Sequence, residues 1–247
     1  MTALAPGWAA PPVVTAFTAL RTGGTSAGAY DSLNLGAHVG DDPERVALNR
    51  SLVRATRGWK SEPLWLDQVH GSTVVRAEAA PFPAPPRADG AVTNLPGRPL
   101  VVMTADCLPV LACDRAGTVV GAFHAGWRGL LEGILEAGLA ALGRPPEDLL
   151  AWIGPCIGPT SYQVGSDVRN AYLGSDPGHE AEFVPDGPDH WKFDLAGAAV
   201  RRLQAARVEV TRSSWDTYRD ADLFFSHRRS APCGRIGTFI CLQTPMP

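Results

Sequence analysis

The sequence predicts a single mixed α/β domain, and three observations lead to this fold class. Apolar segments with the character of strands are interspersed with segments whose apolar residues recur at helical spacing. The order lacks the regular βαβ alternation of a dinucleotide-binding fold, and no GxGxxG follows a strand. With 247 residues, of which 45% are hydrophobic, the chain is long enough to build one large core. We therefore expect residues 1–247 to form one domain.

The first elements are a strand and a helix. VVTAFTAL (13–20) is rich in β-formers and leads into RTGGTSAG, a Gly/Ser loop. DDPERVALNRSLVRATRG predicts a helix, with Asp41 or Asp42 as its N-cap, Pro43 in its first turn and Gly58 at its end.

The remaining elements follow from the same signals. PLWLDQVH and STVVRAE indicate two strands that meet at Gly71, where we expect a hairpin. PLVVMTADCLPVLACD and TVVGAFH are typical of buried strands. LLEGILEAGLAALG (130–143) predicts a helix, and DLAGAAVRRLQAAR predicts another that begins at Asp194. RIGTFICLQ is the last predicted strand.

Composition and charge exclude several classes of protein. A net charge of −3 gives no basic field, so we expect no nucleic-acid partner. No apolar run reaches the ~18 residues of a membrane span, and the N-terminus lacks the features of a signal peptide. The five cysteines are an odd number without a CxxC pair, which favours a reducing compartment. We expect a cytoplasmic protein, and the composition is compatible with a monomer.

Three side chains that can bind a metal lie within or at the ends of apolar strands. They are His70 in LDQVHG, Cys107 in TADCLPV and His124 in AFHAGW. One thiolate and two imidazoles suit Zn²⁺, and three protein ligands leave a fourth position open. The same residues also fit two other interpretations. They are ordinary buried side chains, or Cys107 and His124 are the nucleophile and base of a cysteine hydrolase.

Two basic segments are candidate anion sites. Arg128 lies where AFHAGWRGL turns from a strand into a helix, and backbone N–H groups there could bind phosphate or a carboxylate together with its guanidinium. The alternative is a solvated surface charge. FFSHRRS places His227, Arg228 and Arg229 after two aromatic residues, as a second basic rim or as an exposed loop.

Other polar residues are assigned less specific roles. The long loop 21–42, which contains Asn34 and His38, has a composition suited to contacting a polar ligand. We expect His38 to form loop hydrogen bonds, with a fourth metal ligand as the alternative. Cys156 is expected to be a small buried residue, with a position facing the site as the alternative. His179 lies in a Pro/Asp-rich stretch and is expected to be exposed.

Together these stretches resemble the YfiH-like family, formerly described as multicopper polyphenol oxidases (laccases) and now as zinc-dependent purine nucleoside phosphorylases. The matching pieces include RTGGTSAGAYDSLNLGAHVGDDPERVALNR, LDQVHG, DGAVTN, TADCLPVLACD, FHAGWRG, IGPCIGPTSYQVG and FFSHRR followed by GR. They run in order along nearly the whole chain. One departure is SSWDTYRDADLFFS, where relatives often have a Cys-Thr pair upstream of FFS.

The resemblance implies a layered α/β/β/α fold and a zinc site formed by His70, Cys107 and His124. It also implies phosphorolysis of adenosine, inosine or guanosine, and methylthioadenosine, together with deamination of adenosine. Asp106, beside Cys107, is a candidate acid/base for the deamination; the alternative is that it points away from the site, because adjacent strand residues face opposite sides. Arg128, Asn34 and Arg228 are the expected substrate-binding residues.

The laccase description fits the sequence poorly. The six histidines include no His-X-His pair, so a multicopper cluster is not expected, although Cu²⁺ could occupy the single site. A single-copper polyphenol oxidase and a metal-free hydrolase acting on a cell-wall precursor are the alternative enzymes, and a non-catalytic binding protein is a third class.

Overall fold

The computed structural model describes residues 2–77 and 82–244. Its strands are β1 (Ala3–Leu4), β2 (Val14–Ala19), β3 (Val74–Arg76), β4 (Gly90–Thr93), β5 (Leu100–Thr104), β6 (Leu108–Asp114), β7 (Val120–Ala125), β8 (Leu149–Ile153), β9 (Gln163–Gly165), β10 (Phe183–Pro185), β11 (His190–Phe193), β12 (Glu209–Arg212) and β13 (Ile236–Leu242). Its helices are α1 (Pro43–Thr56), α2 (Trp127–Leu131), α3 (Ile134–Leu142), α4 (Ser166–Ser175) and α5 (Leu195–Ala205).

Two β-sheets packed face to face form the centre of the fold. The larger has six strands in the order β12-β8-β6-β7-β4-β3, and the smaller has four in the order β1-β2-β13-β5. Pairing is antiparallel except at the two edges of the larger sheet, where β12 lies parallel to β8 and β3 lies parallel to β4. A separate three-stranded sheet has the order β10-β11-β9. The predicted mixed α/β fold is confirmed.

Each sheet is covered by helices on its outer face. Apolar side chains from both sheets, among them Leu111, Trp152 and Ile240, fill the space between them. Residues of α3, α4 and α5 pack on the outer face of the larger sheet, whereas Val53 of α1 packs on the smaller one. The layers therefore run helix, sheet, sheet, helix. Among the described residues, no helix has the length and apolar character that crossing a membrane requires.

Several predicted elements are confirmed at their termini. The side chain of Asp42 accepts a hydrogen bond from the backbone N–H of Glu44 and caps α1, which begins at Pro43. Just after this helix, Gly58 has a φ of 63°, a conformation that suits glycine. Asp194 caps α5 by accepting from the backbone N–H of Gly197.

Three predictions of secondary structure are wrong. PLWLDQVH is not a strand of either sheet and forms only single bridges, at Leu64 and Asp67. The expected hairpin at Gly71 is absent because β3 pairs with β4 in parallel; the last residue of STVVRAE lies outside the described residues. The helix expected over 130–143 is divided into α2 and α3 at Gly133, whose φ of 93° ends the helical path.

The chain crosses between the two sheets where β5 ends and β6 begins. β5 belongs to the four-stranded sheet and β6 to the six-stranded sheet, and residues 105–107 connect them. Three side chains identify the inward faces: Leu111 of β6, Ala122 of β7 and Val102 of β5 belong to the core between the sheets. Since successive side chains of a strand alternate, Cys107 and His124 face the same interior.

Candidate functional site

The three predicted metal ligands converge at the end of the interior between the sheets. The ligand atoms of His70, Cys107 and His124 all lie within 4.8 Å of one another. The two imidazole rings are 4.8 Å apart between centroids and nearly perpendicular, at 78°. His124 is buried, Cys107 is half-buried and His70 is exposed, so the group is open on one side.

Strand register accounts for two of the ligands and a turn for the third. In the β6–β7 pair, Pro109 lies opposite His124, and Cys107 is two residues before Pro109 on the same face. His70 reaches the pair from the segment before β3 and has a φ of 63°, in the left-handed region that a non-glycine residue seldom adopts.

A buried carboxylate, Asp89, holds this turn and orients His124. Its oxygens accept hydrogen bonds from the backbone N–H groups of Val69 at 3.2 Å, His70 at 2.9 Å and Gly71 at 2.7 Å. Nδ1 of His124 donates to Oδ1 of the same carboxylate at 2.8 Å. With Nδ1 engaged, Nε2 of His124 is left to act as a ligand, which is the arrangement of many metal-binding histidines.

The role of Asp89 is not predicted by the sequence alone. The local signal is an acidic residue directly before a fully buried strand, β4, within the DGAVTN segment. A carboxylate at that place is either exposed at a turn or buried with partners, and Asp89 is fully buried.

The pKa values of Cys107, His124 and Asp89 depend on one another. Burial acts to raise the pKa of Cys107, but the charge of His124 and hydrogen bonds with His124 and His70 outweigh it and lower the pKa to about 6. Burial alone would lower the pKa of His124, yet the Cys107 thiolate and the bond to Asp89 raise it. For Asp89, burial opposes ionisation, while His124 and the turn N–H groups lower the pKa overall. Thiolate is the form of cysteine that binds metals and attacks carbon.

Two glycines leave room for the site. A Cβ at Gly126 would lie 2.9 Å from Cδ2 of His70 and 3.2 Å from Sγ of Cys107. A Cβ at Gly129 would lie 2.7 Å from the carbonyl oxygen of Gly71. The glycines of the HAGWRG segment therefore allow the start of α2 to approach the ligands closely.

The ligands form one wall of a cavity of about 210 Å³. The rest of its lining comes from other elements: His38, Gln68, Met103, Thr104, Ala105, His227 and Arg235. Gln68 is fixed by two hydrogen bonds to the backbone of Met103, both 2.8 Å. No carboxylate lies among these lining residues. Thr104, Gln68 and Arg235 were not among the residues expected from the sequence.

The structure does not bring Arg128, Arg228 or Asn34 into the cavity lining. Arg128 is exposed, with its guanidinium 4.5 Å from the centroid of the Trp127 ring, and α2 has only five residues. Arg228 is also exposed, and Nη1 donates to the carbonyl of Gln163 at 2.8 Å. Neither arginine lines the cavity, and their substrate contacts stay predictions.

Asn34 is fully buried, and its amide is hydrogen-bonded within the protein. Nδ2 donates to the carboxylate of Asp41 at 2.9 Å and Oδ1 accepts from the backbone N–H of Arg235 at 2.9 Å. Oδ1 also accepts from the backbone N–H of Gly36 at 2.9 Å. Asn34 therefore supports a residue of the cavity and does not line it.

Three further residues considered in the sequence, Asp106, Cys156 and His179, do not line the cavity. The carboxylate of Asp106 accepts hydrogen bonds from Oγ1 of Thr217 and the backbone N–H of Arg228, each at 2.7 Å, so it joins three segments. Cys156 is buried, in line with its expected role. His179, expected to be exposed, is buried beside Glu182, with Nδ1 3.1 Å from the carboxylate.

The residues fit a single metal ion. One thiolate and two imidazoles are a common ligand set for zinc. Asp89 holds Nδ1 of His124, which leaves Nε2 for the metal, and the absence of a side chain at Gly126 keeps the adjacent space clear. Within residues 2–77 and 82–244, this is the only group of three or more His, Cys, Asp or Glu side chains arranged to hold a metal. The described residues thus offer one metal centre and no multicopper cluster.

Comparison with known proteins gives consistent matches along the chain. A family model described as "Multi-copper polyphenol oxidoreductase laccase" matches residues 15–243. A relative from Escherichia coli (strain K12), named "Purine nucleoside phosphorylase YfiH", is 45% identical over 240 residues, 97% of this chain and 98% of the relative. A Pseudomonas aeruginosa relative, also named a purine nucleoside phosphorylase, is 45% identical over 242 residues, 97% of this chain and 98% of its own.

A solved structure agrees with this relationship. The crystal structure of a Neisseria meningitidis protein superposes with a TM-score of 0.95 at 40% identity, covering 99% of this chain and 100% of that one. The chain therefore belongs to the YfiH family, whose family model is described as multi-copper polyphenol oxidoreductase laccase.

Proposed function

We propose that this protein is a zinc-dependent purine nucleoside phosphorylase and that His70, Cys107 and His124 bind the zinc ion. The observation that carries the proposal is the convergence of these three side chains on one cavity, with Asp89 orienting His124. Relatives that match nearly the whole chain are named purine nucleoside phosphorylases, which supports the same reaction class here.

The reaction sets clear demands on the site. An oxygen of hydrogen phosphate forms a bond to C1′ of the ribose while the bond from C1′ to the purine nitrogen breaks. The electron pair of that bond leaves with the purine, which takes up the proton that phosphate gives up, and ribose 1-phosphate is the other product. As in glycoside hydrolysis, the ribose carries positive charge in the transition state. The protein must therefore hold an anion, orient a sugar and move one proton.

The chain's own residues meet part of this demand. When bound, zinc would supply a Lewis acid that polarises an oxygen of the substrate. Asp89 keeps the turn at His70 and the ring of His124 in fixed positions, so that the cavity is preorganised. His38 and His227, the other two imidazoles of the lining, are the candidate carriers of the proton that the leaving purine needs.

The cavity also limits how a nucleoside can lie. Its volume of about 210 Å³ is below the range of roughly 300–1,000 Å³ in which pockets enclose a drug-sized ligand. We therefore propose that the sugar and phosphate occupy the cavity and that the purine extends out of its mouth. Adenosine, inosine or guanosine, and methylthioadenosine share the ribose end and are the proposed substrates.

Adenosine deaminase activity is proposed for the same site. The reaction exchanges the purine amino group for a water oxygen and releases ammonia. Asp106 is a poor acid/base for this step because both of its oxygens accept hydrogen bonds from Thr217 and Arg228. A histidine of the cavity lining is the better candidate.

The setting and partners follow from the proposed substrates. Purine nucleosides and phosphate are the partners, and no nucleic-acid or membrane partner is proposed. All five cysteines are free, which supports action in the reducing cytoplasm. We propose that the enzyme works as a monomer.

The test is metal content measured beside turnover. Wild type, Cys107→Ala and the control Cys113→Ala are purified in parallel, since Cys113 is buried in the core between the sheets. Elemental mass spectrometry gives zinc and copper per chain, and chromatography follows release of adenine from adenosine with and without phosphate. Zinc and phosphate-dependent turnover should be present in wild type and the control, and lost in Cys107→Ala. A zinc-replete, active Cys107→Ala protein would contradict the ligand assignment.

A metal-free cysteine hydrolase is the second candidate. Cys107, His124 and Asp89 stand in the order of nucleophile, base and orienting carboxylate, and the pKa of the thiol is lowered, with burial opposing and His124 favouring the thiolate. A wild-type enzyme that is fully active without metal and is inactivated by a thiol alkylator would favour this candidate. Stoichiometric copper with oxidation of phenols would instead favour a single-copper oxidase.

A further inference from the structure

We propose that Arg235 and the hydroxyl of Thr104 form the subsite for the phosphate co-substrate, across the cavity from the metal ligands. This inference rests on the proposed phosphorylase function and places the anion at a position different from Arg128. It is carried by three independent features: an arginine without a counter-ion, a buried hydroxyl without a partner and a wall without carboxylates.

The guanidinium of Arg235 is incompletely paired. Its Nη1 donates to the carbonyls of Cys233 at 2.9 Å and Gly234 at 3.1 Å, which fixes one edge of the group. Within residues 2–77 and 82–244, no carboxylate forms an ion pair with Arg235, and Nε and Nη2 have no protein acceptor. Arg235 lines the cavity, and an anchored guanidinium with N–H groups left over is suited to bind a phosphate through two hydrogen bonds.

Thr104 supplies the second feature. The residue is 1% exposed, and Oγ1 has no hydrogen-bond partner among the described residues. Thr104 lies on the same face of β5 as Leu100 and Val102, which pack between the sheets, so its side chain is directed toward the interior that ends at the metal ligands. A buried hydroxyl without a partner costs about 1–3 kcal/mol, and a bound oxygen would remove that cost.

The surroundings of the cavity favour an anion. The ten lining residues include one arginine and no Asp or Glu. By contrast, many other arginines of the chain pair with carboxylates, as Arg202 does with Glu136 at 2.8 Å. The missing counter-charge at Arg235 is what a dianionic co-substrate would provide.

The long loop before α1 holds Arg235 in place. The backbone N–H of Arg235 donates to Oδ1 of Asn34 at 2.9 Å, and the carbonyl of Arg235 accepts from the backbone N–H of Leu35 at 3.0 Å. A Cβ at Gly36 would lie 2.7 Å from Cγ of Arg235, so the glycine makes room for the arginine stem. Asn34 and Gly36 are therefore positioning residues for the guanidinium.

The proposed phosphate subsite and the metal ligands lie on different sheets. Thr104 ends β5 and Arg235 directly precedes β13, both strands of the four-stranded sheet, whereas Cys107 directly precedes β6 and His124 lies in β7, both strands of the six-stranded sheet. A phosphate held on the first side would face a ribose whose oxygens lie toward the metal ligands. Attack at C1′ would then take place between the two walls.

The experiment compares zinc-loaded wild type with Arg235→Gln, Arg235→Lys, Thr104→Val and Arg128→Gln, with Arg201→Gln as the control for loss of an exposed arginine. Two quantities are measured for each protein. One is the KM for phosphate beside the KM for adenosine. The other is the rise in Tm that inorganic phosphate produces at constant ionic strength.

Arg235→Gln should raise the KM for phosphate about 10- to 100-fold, since a charge-assisted hydrogen bond is being lost. The KM for adenosine should change less than about twofold, and the phosphate-induced rise in Tm should disappear. Thr104→Val should raise the phosphate KM about 2- to 12-fold, as expected for a neutral hydrogen bond. Arg235→Lys should recover part of the loss because it keeps the charge without the planar fork.

Two results would overturn the subsite. One is an unchanged phosphate KM and Tm rise in Arg235→Gln; the other is a rise in phosphate KM caused by Arg128→Gln but not by Arg235→Gln. If Arg235→Gln does not fold, Arg235→Lys and Thr104→Val decide the question. If wild type cleaves no purine nucleoside, the proposed function fails, yet the Tm measurement with phosphate alone still tests the subsite.

Discussion

Asp89→Asn is the sharpest test of how the site is held together. The carboxylate accepts four hydrogen bonds, two at each oxygen: Oδ1 from His70 and His124, and Oδ2 from Val69 and Gly71. An asparagine has one accepting oxygen, so two N–H groups must face its NH₂ group. Each unsatisfied buried donor costs about 1–3 kcal/mol, and the two together should lower the free energy of unfolding by about 2–6 kcal/mol.

The assay is urea unfolding of metal-free protein, followed by a zinc competition titration with a chelator. Loss of an orienting carboxylate typically weakens metal binding about 10- to 100-fold, and we expect this range here. Asp67→Asn is the matched control because Asp67 lies three residues before His70 and its side chain is exposed. This substitution should change the free energy of unfolding by less than about 0.5 kcal/mol. Wild-type stability together with wild-type zinc affinity in Asp89→Asn would refute the role assigned to this carboxylate.

Three further predictions concern other parts of the molecule. Gly126→Ala places a Cβ 3.2 Å from Sγ of Cys107 and should weaken zinc binding, by about 1–3 kcal/mol, in a chelator titration, whereas Gly7→Ala, with open space around it, should not. Trp152→Ala should lower the free energy of unfolding by about 3–5 kcal/mol because Trp152 is 2% exposed between the sheets. An equal loss of unfolding free energy in Trp215→Ala, where the tryptophan is 39% exposed, would contradict this reasoning. Iodoacetamide at neutral pH should modify metal-free protein at Cys107 alone, since burial raises the pKa of the other four thiols, and mass spectrometry showing several adducts at similar rates would count against it.

The convergence of the three proposed metal ligands could be predicted because each carries a local signal. Cys107 and His124 directly precede or end apolar strands, and His70 precedes a glycine, so their chemistry was visible in single segments. α1 was predictable for the same reason: its cap at Asp42 and the glycine after it act within a few residues.

The residues that complete the site depend on contacts distant in sequence. Arg235 is positioned by Asn34, about two hundred residues earlier, and no local pattern reports that contact. Asp89 is separated from the turn that it holds by β3, so no pattern within the turn itself indicates the contact. The parallel pairing of β3 with β4 is a choice of partner that period-two alternation does not encode.

The order in which the chain leaves the ribosome limits when the site can exist. β13 is the central partner of both β2 and β5, and Thr18 of β2 bonds to Thr238 of β13 across 220 positions. Until β13 has emerged, β2 and β5 have no common neighbour, and the wall that carries Arg235 cannot form. Pairing between such distant segments is slow because a long loop must close first. We therefore expect the cavity to close only when nearly the whole chain has emerged, well after the residues from His70 to His124 that carry the proposed metal ligands.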